Sequence, residues 1–171
     1  MTAGTTLIRL NGVSFGYPGG PPVLRDLDFR LNSGDRIGII APNGSGKTTL
    51  FHLIMGLLKP LSGRIEIFGK HVREENDFTE VRRRIGLLFQ DADDQLFSPT
   101  VLEDVAFGPL NLGKPKDEAI AIARRTLAFL GLDGFEERIT FKLSGGEKRL
   151  VSLATVLAME PEVLLLDEPG N

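Results

Sequence analysis

The sequence predicts an α/β fold, with an antiparallel β-subdomain near its start, a parallel sheet behind it and a helical insertion in its second half. Three observations predict it. Leu27, Phe29 and Leu31 alternate with Asp28 and Arg30, the pattern of an antiparallel strand with one wet face. Ile37 to Ile40, Ile85 to Phe89 and Val163 to Leu166 are instead short unbroken apolar runs, as strands buried on both faces of a parallel sheet should be. Between the runs, Leu50, Leu53, Ile54 and Leu57 recur at helical spacing.

In chain order, the alternating strand starts at Val23 and ends in the turn Asn32-Ser33-Gly34-Asp35, before the strand at Ile37. The helix after Lys47 lays one face on the sheet and is closed by Lys59-Pro60. After the Ile85 strand, Thr100-Val101-Leu102-Glu103 has capping-box spacing and starts a second helix. A third opens at Pro115-Lys116-Asp117-Glu118, where proline suits the first turn and the acids suit the positive helix end, and runs to about Gly131. The insertion therefore spans roughly Pro99 to Phe141. A last helix follows Ser144, with Leu150, Leu153, Ala154 and Leu157 on one face.

Composition narrows the classes. With 171 residues, 42% of them hydrophobic and 25% charged, the chain suits one ordinary globular domain without repeats or low-complexity tracts. A net charge of -3 and a pI near 5.5 offer nothing to a phosphate backbone, so no nucleic-acid partner is expected. The one basic run, Arg82-Arg83-Arg84, reads as a solvated segment. No apolar stretch approaches a bilayer span and the start carries no signal pattern, so the chain is expected to stay in water. The absence of cysteine suits a reducing compartment, with the cytoplasm as default.

The sharpest chemical signal is Ala41-Pro42-Asn43-Gly44-Ser45-Gly46-Lys47-Thr48, followed by Thr49, between an apolar strand and a helix. A triphosphate needs many donors at close range. Glycines let backbone N–H groups approach, the helix N-terminus adds positive potential, Lys47 reaches the terminal phosphates and Thr48 offers a hydroxyl to Mg2+. Ala41 stands where a first glycine is usual, which the loop tolerates if that residue keeps a negative φ. Leu143-Ser144-Gly145-Gly146-Glu147 puts a serine and two bare glycines at a helix start, either a second anion site or simply a cap. Asp167 and Glu168 emerge from the apolar Val163 run, where the first can hold hydrated Mg2+ and the second can polarise a water.

The ordered set of Ala41 to Thr48, Gln90, Leu143 to Glu147 and Val163 to Pro169 resembles ABC-type ATPases along the whole chain. The resemblance implies a P-loop (RecA-like) fold and hydrolysis of Mg-ATP, with Glu168 as general base and Lys47 and Gln90 assisting. It implies that Tyr17, in Val13-Ser14-Phe15-Gly16-Tyr17, stacks on adenine, and that Gln90 touches Mg2+ and the attacking water. Ser144, Gly145, Gly146 and Glu147 look like the signature motif, which completes the ATP site of a second copy across a head-to-tail dimer. Glu147 stands where glutamine is commoner, an acidic variant not alien to the family. On this reading the chain is one ATPase domain, with residues 1–98 forming the β-subdomain and phosphate-loop core, 99–143 the helical insertion, and 144–171 the signature helix and last strand.

Within that family, Gln90-Asp91-Ala92-Asp93-Asp94-Gln95-Leu96-Phe97-Ser98-Pro99-Thr100-Val101, with Asp104-Val105-Ala106-Phe107-Gly108-Pro109, is similar to the energy-coupling-factor importers of cobalt, nickel or vitamins. That likeness implies three partners: a second ATPase subunit, identical or not, a transmembrane coupling subunit and a separate substrate-binding membrane protein. It also implies a peripheral position on the cytoplasmic face of the cell membrane. The family continues past Glu168 with a loop aspartate and a strand ending in a histidine that neither His52 nor His71 matches, and Gly170 replaces a more usual threonine. The 171 residues are therefore expected to be part of a longer ATPase, with an unpaired gap of about two strand spacings in the sheet. As they stand they are expected to bind nucleotide without turnover. A soluble ABC protein of DNA repair or translation fits poorly, because Lys47 and Ser144 stand only 97 positions apart and one phosphate loop is present.

Overall fold

The computed structural model describes residues 4–169, so Gly170, noted above for replacing threonine, lies outside the described residues. The chain divides into two compact units, the first ending at Arg82 and the second beginning at Arg83.

In the first unit β1 (Thr6–Gly16), β2 (Pro22–Asn32), β3 (Ser62–Ile67) and β4 (Lys70–His71) form an antiparallel sheet in the order β2-β1-β3-β4. Leu10 pairs with Phe29 on one side and with Ile65 on the other, and Ile8 pairs with Leu31 and Ile67. Ile8, Leu10, Val13, Ile65 and Ile67 are fully buried or nearly so. The expected alternation holds in β2, where Leu27, Phe29 and Leu31 are half-buried while Asp28 and Arg30 face water.

Three expectations for this unit need correction. Ile37 to Ile40 forms no strand, and Ile40 is 99% exposed. An apolar run becomes a strand only where a neighbour completes its ladder, and none does among the described residues. The helix after Lys47, α1 (Lys47–Ile54), ends before Leu57 and not at Lys59-Pro60. Gly56 ends it in the left-handed region, φ 68°, and a Cβ there would lie 2.3 Å from the Phe78 ring, so only glycine fits. The arginine run is not simply solvated either, because it closes α2 (Glu75–Arg84). Arg82 pairs with Glu75 and donates from Nε to the Met55 carbonyl at 3.1 Å. The Arg82 guanidinium also holds the Glu75 carboxyl below the usual range.

In the second unit β5 (Ile85–Leu88) and β6 (Val163–Leu166) pair in parallel, Ile85 with Val163 through Leu88 with Leu166. Arg84 just before β5 clasps Glu162 just before β6 through two hydrogen bonds, 2.6 and 2.9 Å. β5 is buried throughout, as expected. β6 is not, since Leu164 and Leu166 are exposed, so its unbroken apolar run covers one buried and one open face.

The three helices of this unit are α3 (Val101–Asn111), α4 (Lys116–Phe129) and α5 (Gly145–Leu157). Val101, Val105, Ala119, Ala123, Leu127, Val151 and Ala154 join them in one core. The Thr100/Glu103 capping box opens α3 with both of its bonds, and Pro115 precedes α4 as its N-cap. α5 approaches β5 closely because Gly86 has no side chain: a Cβ there would meet Val156 Cγ1 at 2.3 Å. The helix rotates slightly from the expected face, burying Val151, Ala154 and Ala158 while Leu150 is exposed. No helix among the described residues is long and apolar enough to cross a membrane.

Candidate functional site

In the first unit the phosphate loop runs from residue 41 into α1. Gly44 and Gly46 take φ of 77° and 97°, which a side chain would strain, while Ala41 keeps a φ outside the positive region, so alanine fits in place of the first glycine. Gly46 is the N-cap of α1, where a Cβ would meet Val23 Cγ1 at 2.8 Å. Lys47 folds back over the loop, donating from Nζ to the carbonyls of Ala41 and Pro42 at 3.0 and 3.2 Å. The amine is therefore held against the loop by two of the loop's own carbonyls. Thr49 is buried and its hydroxyl meets that of Tyr17 at 3.3 Å, so it braces the tyrosine. The Tyr17 ring packs edge-on against Phe15, centroids 5.0 Å apart, and leaves 48% of its surface open to a stacking partner.

In the second unit the ends of the parallel strands bring Gln90, Asp167 and Glu168 together. Asp167 donates its N–H to the Leu88 carbonyl, extending the ladder by one rung, and is only 3% exposed. Glu168 follows in the left-handed region, φ 45°, and its Oε2 accepts from Gln90 Nε2 at 3.1 Å. Arg149, from the second turn of α5, ties the two strand ends from behind. Its guanidinium donates to the carbonyls of Gln90, Asp167 and Glu168, the Asp167 bond at 3.2 Å.

The turn before α5 carries the Ser144 to Glu147 motif. Ser144 Oγ accepts from the Glu147 N–H, and Glu147 Oε2 accepts from both the N–H and the hydroxyl of Ser144 at 2.8 Å, a complete capping box. The other oxygen, Oε1, accepts from Arg138 at 2.9 Å. These bonds, led by those from Ser144, hold the Glu147 carboxyl below the usual range. Gly145 and Gly146 have open space where a Cβ would stand, leaving the mouth of the helix bare. No cluster of three or more metal-ligating side chains occurs among the described residues. Within this unit, Asp167 with the Gln90 amide would suit Mg2+ whose remaining oxygens come from nucleotide phosphates.

Four residues that the sequence reading did not single out complete this unit. Arg149 is one. Lys148 pairs with Asp93 at 2.5 Å, and Gln95 accepts from the Phe89 N–H while donating to the Ser152 carbonyl, so both pin the segment after Gln90 to α5. Asp104, 2% exposed, accepts from the N–H groups of Phe97 and Ser98 at 3.2 and 2.9 Å and fixes the approach to α3. Burial pushes its carboxyl up, outweighing those bonds. Their partners lie too far along the chain for spacing to reveal them, except that an acid one turn inside the Thr100 cap hints at Asp104.

The family model described as ABC transporter matches residues 24–171. The energy-coupling factor transporter ATP-binding protein EcfA of Methanothermobacter thermautotrophicus is 47% identical over 95% of the chain and 53% of its own length. The cobalt import ATP-binding protein CbiO of Rhodobacter capsulatus is 46% identical over 96% of the chain and 60% of its own length. The chain thus spans between half and three-fifths of those relatives. Among solved structures, cbiO1 from Clostridium perfringens, described as part of the ABC transporter complex cbiONQ, superposes with a TM-score of 0.84 at 36% identity, covering 97% of this chain and 67% of that one.

Proposed function

We propose, for a chain that belongs to the ABC transporter family, that it binds and hydrolyses Mg-ATP to drive import of a cobalt or nickel ion or a vitamin through an energy-coupling-factor transporter. The observation that carries the ATPase reading is the 3.1 Å bond between Gln90 and Glu168 at the mouths of two parallel strands, with Asp167 buried beside them. The cargo class is supported by the relatives named EcfA and CbiO, and nothing in the chain selects among the cargoes.

In this reading Tyr17 stacks on adenine, and the loop from Ala41 through Pro42, Asn43, Gly44, Ser45 and Gly46 surrounds the phosphates with N–H groups. Lys47 exchanges its two loop carbonyls for phosphate oxygens. Thr48, Gln90 and Asp167 would hold Mg2+, which when bound neutralises phosphate charge. Glu168 takes the proton of the attacking water, and Gln90 orients both. Ser144, Gly145 and Gly146 stabilise the nucleotide of a second ATPase subunit, identical or not. A transmembrane coupling subunit and a substrate-binding membrane protein complete the transporter, with this chain on the cytoplasmic membrane face as one ATPase domain.

Loss of a general base commonly costs 10²- to 10⁴-fold. In the full-length protein carrying this sequence, Glu168→Gln should hold ATP with little change in Kd yet hydrolyse it at least about a hundredfold more slowly. An unchanged rate removes Glu168 from the mechanism. Cells lacking the protein should lose uptake of one of the three cargoes, and unchanged uptake of all three refutes the importer assignment.

A further inference from the structure

The acidic residue of the signature turn poses a problem that the structure answers. A carboxylate at the mouth of a helix meant to receive phosphates repels them, yet Glu147 is also half of the cap that shapes the turn. Its two oxygens are divided between tasks. Oε2 takes both donors of Ser144, and Oε1 faces Arg138 at 2.9 Å.

Arg138 is itself held before any ligand arrives. Its guanidinium lies over the Phe135 ring, 3.6 Å from the centroid, and its backbone carbonyl accepts from the N–H of Val101 at the start of α3 at 3.1 Å. Ring and backbone together hold a cation at the Glu147 oxygen that Ser144 does not use. A glutamine at 147 could not serve both neighbours. Its one oxygen would satisfy Ser144 and leave the amide N–H groups facing the guanidinium, so the arginine and the acid are matched to one another.

We propose that Arg138 is a positioning residue for the signature turn: it holds one oxygen of Glu147 and cancels its charge, so that Glu147 orients Ser144 while the turn meets phosphates as a neutral surface. This rests on the reading that the turn contacts the nucleotide of a second ATPase subunit, and it adds the device by which an acid there is made compatible with an anion.

The test is a double-substitution cycle in the full-length protein carrying this sequence, following KM for ATP and kcat with melting as the folding control. Arg138→Gln in the Glu147 background should raise KM about fivefold at low salt through the uncovered charge, and less at high salt. The same substitution in a Glu147→Gln background should raise it less than twofold, and Arg138→Lys should keep KM within about threefold of the parent. An equal cost in both backgrounds, with unchanged melting, overturns the proposal. Ser144→Ala separates the two layers. If it lowers turnover, the signature reading stands and the cycle decides the role of Arg138, whereas if turnover is unchanged, that reading and the proposal fall together.

Discussion

Replacing Arg149 with lysine keeps the charge and removes the fork. The guanidinium reaches three carbonyls, those of Gln90, Asp167 and Glu168, from one rigid plane. An ammonium is a single point on a shorter stem, so at least two of the three carbonyls lose their donor. A hydrogen bond from a charged donor contributes about 1.5–3 kcal/mol net. Gln90 is exposed enough for water to replace part of that, so the low end applies, giving a loss of about 2–3 kcal/mol. For a chain of this size the loss lowers Tm by roughly 5–10 °C. The consequence for chemistry is sharper, because the same carbonyls belong to the residues joined by the Gln90–Glu168 bond. In the full-length protein carrying this sequence we expect kcat to fall at least about tenfold, the range of a misplaced catalytic group, with Kd for a fluorescent ATP analogue unchanged within about twofold. Melting and turnover of Arg149→Lys indistinguishable from the parent would show that the fork neither supports the strand ends nor positions the proposed base.

Two further expectations concern stability. Gly56→Ala places a methyl group into the Phe78 ring in a left-handed conformation, so Tm should drop by at least about 5 °C, a shift that scanning calorimetry reads directly. Asp104 has its folded pKa raised by burial above the unfolded value, so its ionisation works against folding: its stabilisation is fully present below the unfolded pKa and is lost as pH rises through the folded one. Asp104→Asn, which keeps an acceptor for the Phe97 and Ser98 N–H groups, should remove that part of the pH dependence. Urea midpoints across pH 4 to about pH 8 should therefore fall less with rising pH in the variant than in the parent.

What the sequence revealed was what lies within a few residues of itself. The Thr100/Glu103 box follows from spacing, because both partners of each bond sit in one helical turn, and the helix start at Ser144 follows from a serine and two glycines before an apolar face. The β2 alternation follows from one wet face, and the parallel pair from unbroken apolar runs. β1, β3 and β4 were not legible: the alternation of Ile8 and Leu10 with Arg9 and Asn11 breaks at Gly12, φ 58°, where β1 shifts register along both of its neighbours. α2 was missed because Phe78 and Val81 alone are buried among ten residues otherwise rich in charge. Ile37 to Ile40 was read as a strand on its own hydrophobicity, although a strand is a property of two segments. For the site, the motif residues were legible as a set, but the groups that hold them were not. Arg149 and Gln90 are 59 positions apart, and Arg138, bonded to Glu147, is held by a ring and a helix start that no local pattern joins.

The backbone of Glu168 has a consequence for how this sequence can drift. A non-glycine residue at φ 45° costs about 1–2 kcal/mol relative to an ordinary conformation, and the proline that follows at 169 narrows the choices of its predecessor further. Glycine there would fold more comfortably, and asparagine would sit more easily as well. Random change ranked by thermal robustness alone would therefore discard the acid. The acid here sets an oxygen opposite Gln90 against the ease of the chain that carries it.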